Sequence, residues 1–254
     1  MRRTAIMGAA VLTFSLALTG CGNETSSTTT PDSDASRSTP AQDSGQVPDP
    51  GQLAGMLATA EALGVGWAEQ RPPDDVGVET PGVVPEDLQL NLPRIQFGDA
   101  ASDESRQAAE GLRFQAARIF ALDVEESPRN HQVFVQEFLM ADDEDTIDET
   151  YAALAEGIAA CEGEKTDYGD GVVGRSSLMP PTTLGTESVG IHDVVKEPSP
   201  RGPATWDLRN VIAHDGPVLV SLQLGDVRVG EGVESRIDDE STTAIVAAVA
   251  DALG

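Results

Sequence analysis

The stretch "HQVFVQEFLM" (residues 131–140) leads directly into "ADDEDTIDETYAALAEGIAAC" (residues 141–161), and together the two decide the fold. In the first part the apolar side chains recur with a period of two, which predicts a strand. The second part predicts a helix that begins as soon as the strand ends. The alternation divides the strand's apolar side chains between its two faces: Val133, Val135 and Leu139 on one, and Phe134 and Phe138 on the other.

The acidic residues after the strand indicate the first turn of the helix. Asp142 or Asp143 can cap its N-terminus, and the acids that follow are favoured by the positive end of the helix dipole. Apolar residues then recur three and four positions apart, which predicts one buried stripe. The stripe consists of Ile147, Tyr151, Leu154, Ile158 and Cys161.

A similar order of elements is predicted on both sides of this stretch. Residues 113–124 predict a strand that forms a hairpin with residues 131–140. Residues 204–226 predict a second hairpin, which turns at His214-Asp215-Gly216. A helix capped by Ser241 then closes the chain.

Strand, strand and helix therefore follow one another at residues 113–161 and again at 204–253. This repeat in pattern predicts an α+β domain of two similar halves, about 51–165 and 166–254. We expect a mostly antiparallel sheet with the helices packed on one face.

Three other segments complete the prediction. Residues 48–67 predict a helix that Asp49 caps and Gly64 ends. Residues 71–98 are proline-rich and predict irregular structure. Residues 185–195 predict a further strand.

The first twenty residues predict an export signal. Arg2 and Arg3 are followed by an uncharged segment, residues 4–20, which is too short for a dedicated membrane-spanning helix. Its end, Leu18-Thr19-Gly20-Cys21, resembles the lipobox of bacterial lipoproteins. That resemblance implies cleavage before Cys21 and acylation of Cys21, palmitate included, so that the protein is anchored to the cell membrane on its extracytoplasmic face. The alternative is an incidental cysteine and a soluble, released protein.

Residues 21–50 predict a disordered tether. They are rich in Ser, Thr and Pro and contain almost no apolar residues, so they cannot offset the entropy of ordering. Residues 51–254 are long enough to form one folded domain with a sizeable core.

The chain carries a formal net charge of −27, and loss of Arg2 and Arg3 with the signal would make it more negative. Such a chain is repelled by nucleic acid, so nucleic acid is not an expected partner.

Cys161 has no second cysteine to pair with once Cys21 is acylated. We expect Cys161 to pack as a small apolar group, and a reactive thiol is the alternative.

The sequence contains no recognised catalytic, metal or cofactor motif. The three histidines, His131, His192 and His214, stand apart from one another, and we expect His214 to face solvent in a turn. Ser176 and Ser177 lack the Gly-x-Ser-x-Gly pattern of a nucleophile elbow, and we expect them in a loop. The two tryptophans, Trp67 and Trp206, would anchor the core or line a ligand cleft.

Four segments together resemble a known family: "LGVGW" (63–67), "QEFLMADDEDTIDETYAALAEGIAAC" (136–161), "LGTESVGIHD" (184–193) and "NVIAHDGPVLVSLQ" (210–223). They are similar in order and kind to actinobacterial sensor-type lipoproteins and to the extracellular sensor domain of PknH-type receptor kinases. The resemblance implies an α+β domain with a cleft that binds an extracellular ligand and has no catalytic activity. Disulfides are usual in that family, and this chain departs from the family in that respect.

The sequence thus predicts a lipid-anchored envelope protein whose domain binds an extracellular ligand or an envelope protein and is not an enzyme. One alternative is a carrier of lipid or glycolipid with an apolar cavity lined by Leu, Val and Phe. A further alternative is a hydrolase with a site built from distant carboxylates. The ligand-binding residues are not identified by any pattern in the sequence.

Overall fold

The computed structural model describes residues 46–70, 82–84, 101–122, 130–169, 171–230 and 232–254, the side chains of 166–169 excepted. All of these residues belong to one compact unit. The predicted signal peptide, Cys21 and nearly all of the tether lie outside the described residues. The same is true of most of the proline-rich segment and of the turn that joins the first predicted hairpin.

The described residues form five helices and eight strands. The helices are α1 (Pro50–Met56), α2 (Ala60–Leu63), α3 (Asp103–Gly111), α4 (Glu144–Ala160) and α5 (Asp239–Leu253). The strands are β1 (Trp67–Glu69), β2 (Ala116–Leu122), β3 (His131–Ala141), β4 (Lys165–Gly169), β5 (Val172–Leu178), β6 (Glu187–Glu197), β7 (Ala204–Asp215) and β8 (Val218–Val229). None of the described helices combines the length and the apolar character that a bilayer crossing requires.

The strands form one antiparallel sheet in the order β1-β2-β3-β8-β7-β6-β5-β4. Both predicted hairpins are present: β2 pairs with β3, and β7 pairs with β8 around a turn where Gly216 has φ 53°. Strands β3 and β8, one from each predicted half, lie side by side in the middle of the sheet and pair from His131↔Arg228 to Ala141↔Val218. The α+β class and the repeated strand-strand-helix order are therefore confirmed.

Helices cover both faces of this sheet, which differs from the expected single covered face. On the first face, here called face A, Val133, Val135 and Leu139 pack in one buried cluster with α1 and α5. On the opposite face, face B, Phe138 and Met140 pack in a second cluster with α4. The physical reason is that β3 carries apolar side chains on both of its faces, so each face needs its own cover.

The helix predicted over residues 48–67 is two short helices with a break between them. Asp49 caps α1 as predicted, but the chain turns to an extended conformation at Leu57, and Thr59 caps α2. Gly64 ends α2 at φ 104°, as predicted. The break exposes backbone groups that a continuous helix would have paired internally.

Two local predictions need correction, and two elements were not predicted. Helix α5 is capped by Asp238, whereas Ser241 lies at the third helical position and completes a capping box. Ser176 and Ser177 lie in strand β5 and not in a loop. Helix α3 and strand β4 were not predicted. Their short polar sequences carry no strong apolar periodicity.

Candidate functional site

Each of the three histidines lies against an aspartate from a distant part of the chain. Sequence spacing gave no sign of these pairs, because register and strand order create them. His214, which was expected to face solvent, has a side chain only 13% exposed, and its ring packs on Tyr151 with the centroids 4.5 Å apart. The pairs are His131–Asp226 at 2.9 Å, His192–Asp207 at 2.7 Å and His214–Asp148 at 3.1 Å.

Two of these pairs join a charged network on face A. Burial by itself, the largest influence, would raise the pKa of Asp207. The hydrogen bond and charge of His192, together with the charges of Arg209 and Arg228, outweigh burial, and the pKa is lowered. Arg228 also lies 3.3 Å from Asp226, which links the two histidine–aspartate pairs into one network.

This network holds the segment before α5, and the start of α5 itself, to the sheet. Asp226 accepts hydrogen bonds from the Ser235 hydroxyl at 3.1 Å and from the Arg236 backbone N–H at 2.6 Å. Arg209 donates to the Asp238 carbonyl oxygen at 2.6 Å and to the Thr242 hydroxyl. These groups are engaged with one another, so the network has a structural role. No group of three or more metal-ligating side chains occurs among the described residues.

A second buried charge on face A lies at the break between α1 and α2. Glu137 is fully buried, and burial raises its pKa to about 7, against the lowering effects of the Ala58 hydrogen bond and the Arg118 charge. Its Oε2 accepts the Ala58 backbone N–H at 2.9 Å. Arg118, directly opposite on β2, donates to the carbonyl oxygens of Leu57 and Ala58 at 3.3 and 2.8 Å.

Face B carries a different arrangement, here called the polar row. It crosses five neighbouring strands and consists of Ser176 (β5), Asp193 (β6), Asn210 (β7), Gln223 (β8) and Gln136 (β3). Register places Ser176 opposite Asp193, Asn210 opposite Gln223 and Gln223 opposite Gln136.

The polar row is partly bonded internally. Gln223 Nε2 donates to Asn210 Oδ1 at 2.7 Å. Asp193 accepts hydrogen bonds from Ser176 and Asn210, and burial raises its pKa more than these bonds and the His192 charge lower it. An amide group has two N–H donors and an oxygen acceptor, so the row has more hydrogen-bonding capacity than its internal bonds use.

Next to the polar row lies an apolar strip on the same face, two and four positions further along the strands. It contains Phe134, Gly225, Leu208, Val227 and Trp206, which register brings together on β3, β8 and β7. A Cβ at Gly225 would overlap the Phe134 ring, so that ring lies directly over the glycine. Trp206 is 38% exposed, and its indole N–H donates to Glu197 at 3.3 Å.

The row and the strip mark the half of face B that is outside the helix-packed core. On the other side of the row, Ile191, Ile212 and Leu219 are buried with α4 in the face B cluster. Phe134, Leu208 and Val227 belong to neither buried cluster and are only partly buried. We call this half the open half of face B and treat it as the candidate functional site.

Two surface pockets border the described residues. One, of about 430 Å³, is lined by Lys196, Glu197, Pro198 and their neighbours. It lies beside Trp206, because the Glu197 that lines it also accepts the Trp206 hydrogen bond. The other, of about 200 Å³, lies between the end of α3 and the start of α4, with Arg113 and Thr146 among its lining residues. Loop residues line most of the first pocket, and the second combines polar side chains with Ala108, Met140 and Ala141.

The structure places the remaining sequence candidates as follows. Cys21 lies outside the described residues. Cys161 is 3% exposed and packs in the face B cluster, as expected for a small apolar group. Trp67 packs partly buried against the face A cluster, whereas Trp206 lies in the apolar strip. Sequence reasoning missed Asp193, Asn210 and Gln223, whose only signal was a polar residue in an otherwise apolar strand.

Comparison with known proteins gives resemblances to solved structures and none to a sequence family. No known family matches the chain by sequence, and no curated protein matches it. The fold resembles that of the extracellular domain of PknH from Mycobacterium tuberculosis, with a TM-score of 0.47 and 12% identity over 82% of this chain and 97% of that one. The resemblance to PknH-type sensor domains expected from the sequence is thus found at the level of the fold.

Two other solved structures are more distant. LpqN from Mycobacterium tuberculosis, which is involved in cell envelope biogenesis, gives a TM-score of 0.26 and 16% identity over 53% of this chain and 68% of that one. The lipid transfer and protein localization domain of human StarD13 gives 0.24 and 8% identity over 54% and 84%. These likenesses concern the fold alone and identify no ligand.

Proposed function

We propose that this chain is a cell-envelope lipoprotein whose folded domain binds a ligand or partner on the open half of face B and performs no chemistry. Acyl chains on Cys21 would hold it to the extracytoplasmic face of the cell membrane. The lipobox-like Leu18-Thr19-Gly20-Cys21 and the low apolar content of residues 22–50 support the anchor and the tether. Two or more acyl chains give stable membrane anchoring, whereas one gives only marginal binding.

The polar row is the observation that carries the binding proposal. The network of His192, Asp207, Arg209 and Asp226 on face A is bonded internally and to the segment that starts α5. The row on face B instead presents half-buried amides and a carboxylate beside an exposed tryptophan. A few convergent polar groups next to apolar side chains are the usual composition of a ligand site.

The alternative of a lipid carrier requires a long apolar cavity inside the domain. The apolar side chains of both faces instead pack into two buried clusters, in which residues such as Leu139 and Leu154 are fully buried. The two pockets described above, of about 430 and 200 Å³, lie at loops and at the ends of strands and helices. These observations favour a site on the sheet surface over an internal one.

The anchor is tested by exchanging each cysteine in turn. Cys21→Ala should move the protein from the detergent phase of a membrane extract to the culture fluid, because the acylation site is lost. Cys161→Ala is the matched control and should leave it membrane-bound, since Cys161 is buried in the core. A Cys21→Ala protein that stays in the membrane fraction would contradict the anchor.

The binding face is tested by native mass spectrometry of the mature chain purified from its own host with Cys21→Ala. We expect an added mass that is lost on Asn210→Ala and retained on Gln107→Ala. Gln107 offers a matched control because it is an exposed amide on α3. A bound acyl lipid that both variants retain would favour the carrier, and the absence of any added mass would contradict binding on this face.

A further inference from the structure

We infer that the open half of face B binds a neutral saccharide chain, with the polar row bonding its hydroxyl groups and the apolar strip packing on its ring faces. This inference rests on the proposed function and specifies the class of ligand. It follows from the chemistry of the row, the aromatic groups beside the row and the charge of the surroundings.

The polar row matches the hydrogen bonding of hydroxyl groups. A sugar hydroxyl is both donor and acceptor, and each amide of Asn210, Gln223 and Gln136 also offers both. Asp193 adds a strong acceptor next to Asn210. Side chains bonded to one another, as Gln223 is to Asn210 at 2.7 Å, are held in fixed orientations and lose less entropy when a ligand binds.

The apolar strip matches the other surface of a sugar ring, the one formed by C–H groups. Phe134 lies over Gly225, which has no side chain to compete for that space. Trp206 is partly exposed, and its hydrogen bond to Glu197 restrains the orientation of its ring. Aromatic faces next to hydrogen-bonding groups can therefore contact both surfaces of one ligand.

Charge argues against other ligand classes. Neither the polar row nor the apolar strip contains a Lys or Arg, and the whole chain has a net charge of −27. Phosphate or carboxylate groups on a ligand would find no cation within the row or the strip, and Lys196 belongs to the pocket on the far side of Trp206. Asp193 and the net charge of the chain would repel them. A neutral polar ligand avoids both penalties.

The position of the row within the sheet argues against a peptide. A peptide that adds to a sheet needs a strand edge with unpaired backbone groups. All five strands that carry the row are interior strands, paired on both sides. The face therefore presents side chains only. Four strand spacings give the row a length of about 19 Å, enough for several linked sugar units in place of one.

The test uses the mature chain with Cys21→Ala in affinity gel electrophoresis. The probes are a neutral glucan, mannan and galactan, with polygalacturonate as the anionic probe. Phosphatidylcholine vesicles that contain digalactosyldiacylglycerol test whether the same sugar chemistry is recognised on a lipid headgroup. We expect retardation by at least one neutral probe, free or on the vesicle, and none by polygalacturonate.

Variants locate the binding. Asn210→Ala and Gln223→Ala should each weaken it about tenfold, the loss expected from roughly 1.4 kcal/mol of hydrogen bonding. Gln107→Ala should leave it unchanged. If Asn210→Ala fails to give a folded protein by circular dichroism, Trp206→Ala replaces it, because that side chain is partly exposed.

Three results would overturn the inference: no retardation by any neutral probe or vesicle, stronger binding to polygalacturonate, or equal binding by the row variants and the wild type. If the host-purified protein carries a row-dependent ligand that is not a saccharide, the proposed function stands and this inference fails. If neutral saccharides bind with no dependence on the row, both fail at this face.

Discussion

Glu137 lies directly opposite Arg118 across strands β3 and β2, and between them the two side chains bond the backbone at the break between α1 and α2. Glu137 accepts the Ala58 N–H, and Arg118 donates to the carbonyl oxygens of Leu57 and Ala58. A buried backbone group without a partner costs free energy comparable to a lost hydrogen bond. The pair thus allows the chain to leave the helical conformation inside the core.

Glu137 predicts a stability that falls as pH rises. Its pKa is about 7 in the folded protein, against 4.5 as the ordinary value, so between these pH values the folded state keeps a proton that the unfolded state loses. Stability from this group is therefore complete below about pH 4.5 and is lost as pH rises through 7, by about 3 kcal/mol in total. The unfolding free energy, measured in urea at pH 4.5, 6 and 7.5, should fall with pH in the wild type. In Glu137→Gln this fall should be absent.

Glu156→Gln is the control for that experiment. Glu156 is exposed on α4, so the same exchange there should leave the pH dependence of the wild type intact. Parallel unfolding free energies for wild type and Glu137→Gln across this pH range would contradict the raised pKa of Glu137.

The contact of Phe134 with Gly225 predicts a coupled pair of substitutions. Gly225→Ala should destabilise the domain by about 1 to 3 kcal/mol, because the added methyl group overlaps the Phe134 ring. In a chain that already carries Phe134→Ala, which has its own cost, Gly225→Ala should cause little further loss. The unfolding free energies of wild type, both single variants and the double variant are measured in urea. If the losses of the two single variants add up in the double variant, the ring does not lie over the glycine.

Gly55→Ala provides a comparison at a glycine with open space around it. Nothing lies within 4 Å of a Cβ placed there, and the residue is within helix α1. This substitution should stabilise the protein by about 0.5 to 1 kcal/mol, because alanine loses less backbone entropy in a helix.

Arg209 predicts a local effect at the start of α5. Arg209→Met removes the hydrogen bonds to Asp238 and Thr242, and it leaves Asp207 with less compensation for its burial. We expect a loss of about 2 to 3 kcal/mol in unfolding free energy. Amide hydrogen exchange should speed up first in the initial turn of α5.

Arg236→Met is the matched control for Arg209. Its side chain is exposed, and its contact with Asp226 is made through the backbone N–H, which the substitution retains. Equal losses in the two variants would show that the buried position of Arg209 is irrelevant.

Cys161 predicts an unreactive thiol. It is 3% exposed and packs with Ile158 in the face B cluster, so Ellman's reagent should modify it far more slowly in the native protein than in urea. The Cys21→Ala chain isolates this thiol for the measurement. Rapid modification under native conditions would favour the reactive-thiol alternative instead.

Periodicity predicted the elements that have strong patterns. The strand and helix at residues 131–161, the hairpin at 204–226 and the buried stripe from Ile147 to Ile158 all follow from local spacing. Periodicity did not predict that helices cover both faces of the sheet. It shows which side chains share a face of an element, but it does not show what packs on that face. Strand β3 had apolar side chains on both sides, and this was the available sign that helices lie on both faces.

The candidate site could not be predicted in the same way. Asp193, Asn210 and Gln223 are ordinary polar positions within their own strands, and only the strand order makes them neighbours. The break after Met56 depends likewise on Glu137, which is 79 positions from the Ala58 N–H that it accepts. Both features arise from contacts between distant residues, which no local pattern encodes.

The sheet ends in two very short strands, β1 with three residues and β4 with five. A lateral edge of this length offers few backbone groups to a second sheet, and Lys165 adds a positive charge to one of them. The proposed acyl anchor on Cys21 would concentrate copies of the protein on one membrane surface. Edges this short would then limit edge-to-edge strand pairing between neighbouring copies.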